Sequence, residues 1–120
     1  MVKSNAIVDK TKAFALRIIK LSRYLREERG EYVLSKQVLR SGTSIGANVK
    51  EAIRGQSKPD FYAKMNIALK EASETEYWLE LLVESELIES TKCFGIQEDC
   101  QEIIKLLVSI TKKQKEQEER

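Results

Sequence analysis

Three glutamates recur at four-residue spacing in the second half of the chain: Glu76, Glu80 and Glu84. On a helix, this spacing places the carboxylates on one face, as in the metal sites of some helix bundles. Those sites also use Glu-x-x-His pairs, and this chain contains no histidine. We therefore interpret the row as a solvated or ion-paired helix face. A metal-dependent enzyme built on the row is the alternative.

Other side chains that could support catalysis lack partners. Without histidine, serines such as Ser44 have no imidazole to activate them. Cys93 and Cys100 lie seven residues apart, which is not a metal-ligand spacing. The pattern predicts a reduced protein with Cys100 in the core and Cys93 in a turn. We expect no enzymatic activity, no metal and no cofactor.

A row of cations suggests binding rather than catalysis. Lys36, Arg40, Lys50 and Arg54, here called the basic stripe, share one face of a predicted helix, with Thr43 and Ala47 between them. At 1.5 Å per residue the stripe is about 27 Å long. It is either an ordinary solvated face or an electrostatic footprint for nucleic-acid phosphates. The predicted outer side of the first helix adds three cations: Lys12, Lys20 and Arg23.

Two glycines interrupt the same helix. In the segment RSGTSIGANVKEAIRG, Gly42 falls on the predicted core face and Gly46 at its edge. Each costs about 1 kcal/mol relative to alanine in a helix. We interpret both as sites where a neighbouring helix approaches closely. A phosphate-binding loop is disfavoured, because that motif needs a different glycine spacing and a preceding strand.

The charges are unevenly distributed along the 120-residue chain, whose net charge is +2. Residues 1–58 carry 13 Lys and Arg against 5 Asp and Glu, whereas residues 59–120 carry 8 against 14. A basic half and an acidic half could neutralise each other by packing, or could mark a surface for an anionic partner.

Hydrophobic periodicity divides the chain into four helices at about residues 5–28, 33–54, 59–89 and 96–116. Short connections between four amphipathic stripes predict a single domain, an antiparallel up-down-up-down four-helix bundle. A loop is predicted between the last two helices, over residues 90–95. Apolar residues outside the predicted core stripes suggest an interface for self-association: Leu16, Ile19, Tyr77, Trp78, Leu81 and Ile88.

The motif RSGTSIGANVKEA resembles the 23S rRNA intervening-sequence protein family of bacteria. The resemblance extends from about Phe14 to Ile110. It is carried by residues of the second helix and by the later segment NIALKEASETEYWLELL: Arg40, Ser44, Ile45, Asn48, Glu51, Ala52, Ile67, Ala68, Glu71, Glu74, Glu76 and Leu79.

The resemblance implies an all-α bundle that assembles as a ring-shaped homopentamer. Related members are accessory proteins of diversity-generating retroelements, which bind nucleic acid and a reverse transcriptase through basic surfaces. RNA or DNA, a reverse transcriptase or another protein are therefore the partners that it suggests.

Together these observations predict a homo-oligomeric, non-enzymatic module that binds the backbone of RNA or DNA. The alternative is a protein–protein adaptor whose basic stripe docks an acidic partner. No apolar run approaches the length of about 18 residues that a membrane span requires. The N-terminal segment has no apolar signal core, so we expect a cytoplasmic location.

Overall fold

Four long helices form the described part of the chain. The computed structural model describes the backbone of residues 2–118 and the side chains of residues 6–118. The helices are α1 (Val2–Arg29), α2 (Leu34–Ile53), α3 (Lys58–Glu84) and α4 (Ser90–Glu118). The predicted all-α, four-helix bundle is confirmed.

Each helix runs antiparallel to its two neighbours. The order of contacts along α1 and α2 shows this, because Gly42 lies against Ile18 whereas Gly46 lies against Thr11. In the described part of the chain α1 packs on α2 and α4, and α3 packs on the same two helices, whereas the backbones of the diagonal helices stay farther apart. The result is an elongated bundle of 51 × 23 × 22 Å. Because α1 and α3 are diagonal to each other, their outer surfaces lie on opposite sides of the bundle.

The core follows the predicted apolar stripes. In α3, buried residues keep a three–four spacing that is typical of heptads. Among the described residues, Thr75 Oγ1 donates a buried hydrogen bond to Ser41 Oγ at 2.8 Å, and Ser22 Oγ donates one to the carbonyl of Ser35 at 3.1 Å. Ile53, the last residue of α2, is 38% exposed. The central side chains are Phe14, Ile18, Leu25, Val38, Ile45, Val49, Met65, Leu79, Leu82, Cys100, Ile103 and Leu107.

A serine begins α3. Ser57 has extended backbone angles, and its hydroxyl accepts a hydrogen bond of 3.2 Å from the backbone N–H of Asp60. Pro59 follows in the first turn, where its missing N–H leaves no helical bond unmade. Serine at the N-cap and proline in the first turn are residue types that favour the start of a helix.

The turn between α3 and α4 differs from the predicted one. The periodicity predicts a third helix to residue 89 and a fourth from residue 96, but α3 ends at Glu84 and α4 begins at Ser90. Glu86 adopts a left-handed φ of 63°, and its N–H donates to the carbonyl of Val83. Glycine usually occupies this position after a helix, so a glutamate there leaves no stop signal. Cys93, predicted in a turn, is therefore buried within α4.

Replacing Glu86 with glycine should raise the free energy of unfolding by about 1 kcal/mol, because glycine adopts the left-handed conformation without a steric penalty. The side chain of Glu86 is exposed, so its loss removes little packing. Urea denaturation would measure the change. The control, Glu80→Gly, removes an exposed glutamate from the interior of α3 and should lower stability by about 1 kcal/mol. An unchanged or lower stability of Glu86→Gly would refute the strain argument.

Candidate nucleic-acid interface

Three members of the basic stripe lie on the open surface of α2. Lys36, Lys50 and Arg54 are exposed, and none forms an ion pair with a described residue. At about 100° per residue they fall on the side of α2 opposite Ile45. Glu51 and Asp60 share a recess with Lys50 and Arg54, but no described carboxylate lies within ion-pair distance of the three cations, so they can contact an anionic ligand.

Arg40 has a different environment from the rest of the stripe. Its guanidinium forms ion pairs with Glu71, at 3.3 Å, and with Glu74, both on α3. Along α2 no carboxylate lies within the basic stripe. The fold, however, places Glu71 and Glu74 of α3 beside Arg40. A phosphate that contacts Arg40 must compete with these two carboxylates.

The three cations predicted on α1 separate into two groups. Lys12, Lys20 and Arg23 are all exposed. Lys20 borders a cleft between α1 and α4, together with Lys92. Lys12 and Arg23 lie on the outer side of α1, opposite its buried stripe, and form no ion pair with a described residue.

Apolar side chains interrupt the charged surface of α1. Leu16 and Ile19 are 55% and 36% exposed, and they lie between Lys12 and Arg23 along the helix. A basic surface with an apolar centre can bind an anionic partner and also exclude water from part of the contact.

A second apolar surface lies on α3, formed by Tyr77, Trp78 and Leu81 and here called the aromatic surface. Tyr77 is 54% exposed, and its ring centroid lies 5.5 Å from that of Trp78. Trp78 and Leu81 are half-buried, and the indole N–H of Trp78 donates to Glu74 at 3.0 Å.

Ile88, predicted with this surface, lies elsewhere. It is only 6% exposed and packs in the core from the turn after α3. The helical wheel assigns it to the outer face only if α3 continues past Glu84, and the left-handed residue at Glu86 redirects the chain. Exposed apolar side chains that the sequence reasoning missed are Tyr32, Val33, Ile67, Phe94 and Val108. Ile67 and Val108 could have been found from their positions on the helical wheels.

The two glycines of α2 face α1. A Cβ atom added at Gly42 would lie 2.8 Å from Cγ2 of Ile18, and one at Gly46 would lie 3.3 Å from Oγ1 and 3.4 Å from the carbonyl oxygen of Thr11. Gly42 is buried and Gly46 half-buried. Both glycines therefore lie at the contact between α1 and α2.

The glutamate row lies along α3, with Glu76 half-buried and Glu80 and Glu84 exposed. Within residues 6–118, no three Asp, Glu or Cys side chains are grouped so that they could hold a metal ion. None of the helices described is both long and apolar enough to cross a bilayer.

Both cysteine thiols should resist iodoacetamide at about pH 8 in the folded protein, because the thiolate is the reactive form. Burial, together with the smaller effect of the charges of Glu76 and Asp99, raises the pKa of Cys100 to about 12. Burial also raises the pKa of Cys93, and Arg17 opposes this only in part. Mass spectrometry with and without urea would measure labelling. Modification of either thiol at the denatured rate would contradict the expectation.

The raised pKa of Cys100 predicts that the free energy of unfolding depends on pH. In the unfolded chain Cys100 titrates at its ordinary pKa of 9.0, below its folded value of about 12. The neutral buried thiol therefore stabilises the fold fully below pH 9, and this contribution is lost as the pH rises toward 12.

Comparison with known proteins identifies the family. Residues 3–109 match the sequence profile of the 23S rRNA-intervening sequence protein family. The chain belongs to this family. The resemblance found at residues 40–52 is thereby confirmed.

A solved structure is similar in fold to this member of the 23S rRNA-intervening sequence protein family. It is the crystal structure of a protein of unknown function from the S23 ribosomal protein family of Bacteroides thetaiotaomicron VPI-5482. The two chains are 55% identical, the alignment covers 92% of this chain and 98% of the other, and the TM-score is 0.89. No curated protein matches the chain.

Proposed function

We propose that this member of the 23S rRNA-intervening sequence protein family is a non-enzymatic, cytoplasmic module that binds the phosphate backbone of RNA or DNA. The observation that carries the proposal is a set of exposed cations on α1 and α2 without ion pairs to described residues. They are Lys12, Arg23, Lys36, Lys50 and Arg54.

Binding by these residues is electrostatic and depends little on sequence. Lysines act as point charges, whereas Arg23 and Arg54 can form paired hydrogen bonds with one phosphate. Contacts with phosphates position a protein on nucleic acid without reading bases. Arg40 is a secondary contact, because its guanidinium already binds Glu71 and Glu74.

Self-association forms the second part of the proposal. Leu16 and Ile19 are exposed on α1, and the aromatic surface lies on α3, which is diagonal to α1 in the described bundle. Two different surfaces on opposite sides favour a head-to-tail contact, which closes into a ring when the rotation between copies permits. The family resemblance suggests a pentamer. A ring would repeat the exposed cations in every subunit and would strengthen weak binding of nucleic acid through avidity.

The alternative function is a protein–protein adaptor. It is favoured by the exposed Leu16 and Ile19 between Lys12 and Arg23, because nucleic-acid phosphates do not require an apolar centre. The partner would be an acidic protein surface, and a reverse transcriptase is one protein that the family resemblance suggests.

Light scattering coupled to size-exclusion chromatography tests these proposals. The protein is run alone and with a mixed pool of RNA and DNA, at low and at high salt. We expect a large oligomer that carries nucleic acid only at low salt, since phosphate binding weakens steeply with salt. A large oligomer that never binds nucleic acid would favour the adaptor. A monomer would refute the ring and the avidity that depends on it.

A further inference from the structure

A cleft opens between α1 and α4, beside the turn that joins α3 to α4. Its volume is about 320 Å³. Apolar residues from three parts of the chain form its floor: Leu21 from α1, Ile88 from the turn and Ile96 from α4. This cleft, called the α1–α4 cleft below, involves neither the basic stripe nor the aromatic surface.

The floor is a part of the core that the helices leave open. Leu21, Ile88 and Ile96 keep 5%, 6% and 7% of their surface, whereas Ile18 and Leu25, on the same stripe of α1, keep none. The cause is local, because α1 packs less extensively on α4 than on α2. The cleft therefore exposes a narrow strip of aliphatic surface at its base, and the exposed side chains of Lys20 and Lys92 form its sides.

A glycine of α4 leaves room for Arg17, which lines the cleft. A Cβ atom at Gly95 would lie 2.8 Å from Nη2 of Arg17. The glycine thus allows the guanidinium to lie against α4, where it forms an ion pair with Asp99. This ion pair joins the two helices.

The rim carries two lysines that form no ion pair with a described residue. Lys20 and Lys92 line the cleft from opposite helices, and both are exposed without an ion pair to a described residue. The half-buried Tyr24 adds a phenol, which can donate a hydrogen bond. An apolar floor beneath two free ammonium groups is complementary to an apolar group flanked by carboxylates.

We infer that the α1–α4 cleft binds an acidic peptide segment of a protein partner. One bulky apolar side chain of that segment covers Leu21, Ile88 and Ile96, and neighbouring carboxylates pair with Lys20 and Lys92. The volume is at the lower end of the range of about 300–1,000 Å³ for ligand cavities, which suits a side-chain anchor better than a whole cofactor. Interfaces often concentrate their affinity in such anchors.

A protein partner fits this cleft better than nucleic acid does. Phosphates could reach Lys20 and Lys92, but the aliphatic floor offers no hydrogen-bonding group to a base edge. The inference is independent of the proposed function, because the exposed cations of α2 do not line the cleft.

Methyl NMR of the full chain, labelled at its isoleucines, tests the inference. The probe is the peptide acetyl-Glu-Glu-Leu-Phe-Glu-Glu-amide, and its control replaces Leu-Phe with Ser-Ser. We expect a saturable shift of the Ile88 and Ile96 methyl signals with the first peptide only. The core residue Ile45 and the α1 surface residue Ile19 should not shift. Absence of a saturable shift with millimolar peptide, or equal shifts with both peptides, would overturn the inference.

Charge variants and an oligonucleotide complete the test. Lys20→Glu with Lys92→Glu should weaken the peptide at least tenfold, whereas Lys105→Glu with Lys112→Glu, on exposed α4 positions outside the cleft, should leave its affinity unchanged. All four side chains are exposed, so folding should persist, and thermal melts would verify it. Equal weakening by both pairs would refute a localised site. Displacement of the peptide by twelve-nucleotide oligo-dT, with shifts at the same methyl groups, would assign the cleft to nucleic acid instead.

Discussion

Replacing Gly42 with leucine should lower the free energy of unfolding by about 3 kcal/mol or more, beyond the usual range for one overpacked core position. Even a Cβ atom at this position would lie 2.8 and 2.9 Å from the two γ-carbons of Ile18. Ile18 is fully buried, so it cannot move aside without displacing its neighbours. The measurement is urea denaturation followed by circular dichroism.

Gly95→Ala is the matched control, because Gly95 also lies inside a helix. Its added Cβ would meet only the guanidinium of Arg17, whose side chain is 45% exposed and free to move. This variant should be neutral, or more stable by up to about 1 kcal/mol through helix propensity.

A second control isolates the contact between the helices. Gly42→Ala combined with Ile18→Ala should destabilise less than the sum of the two single changes, since each relieves the crowding that the other creates. A Gly42→Leu protein with a wild-type denaturation midpoint would show that α1 and α2 do not depend on this close approach.

Reversing three cations on α2, with Lys36→Glu, Lys50→Glu and Arg54→Glu, should weaken RNA or DNA binding by two orders of magnitude at low salt. Each lost phosphate contact, between unit charges about 4 Å apart in water, is worth about 1 kcal/mol. The slope of log affinity against log salt should fall by about 3. Fluorescence anisotropy with labelled oligonucleotides at several salt concentrations measures both quantities.

The control for this variant carries the same change in net charge elsewhere. Lys70→Glu, Lys105→Glu and Lys112→Glu reverse exposed residues of α3 and α4. Arg40 is excluded from the test set, because a glutamate there would face Glu71 and Glu74 and would destabilise the bundle. If both triple variants weaken binding equally, net charge rather than the α2 surface controls binding.

The core could be predicted well from the sequence because it depends on periodicity within each helix. Ile7, Phe14, Ile18, Leu21 and Leu25 recur at helical spacing and are all buried. The same local rule identified the outward positions of Leu16 and Tyr77, which are exposed. A residue on the apolar face of a helix is buried whichever neighbouring helix covers that face. The periodicity within one helix is therefore enough to predict its buried residues.

Features that depend on two helices, or on an atypical turn, could not be predicted in this way. The ion pairs of Arg40 form with Glu71 and Glu74, more than thirty positions along the chain, so their sequence gives no local sign of the contact. Glu86 occupies a conformation that glycine usually adopts, which hid the end of α3 and the burial of Ile88. Gly95 suggested a loop, but it lies inside α4 beside Arg17.

Trp78 is the single tryptophan of the protein. Its indole N–H donates to Glu74, and Glu74 in turn holds Arg40 of the basic stripe. The protein therefore contains an intrinsic fluorophore that is connected to a cation of the proposed binding surface through one shared carboxylate. A ligand that draws the Arg40 guanidinium away would leave Glu74 paired with the indole alone, and the emission spectrum would shift without any added dye.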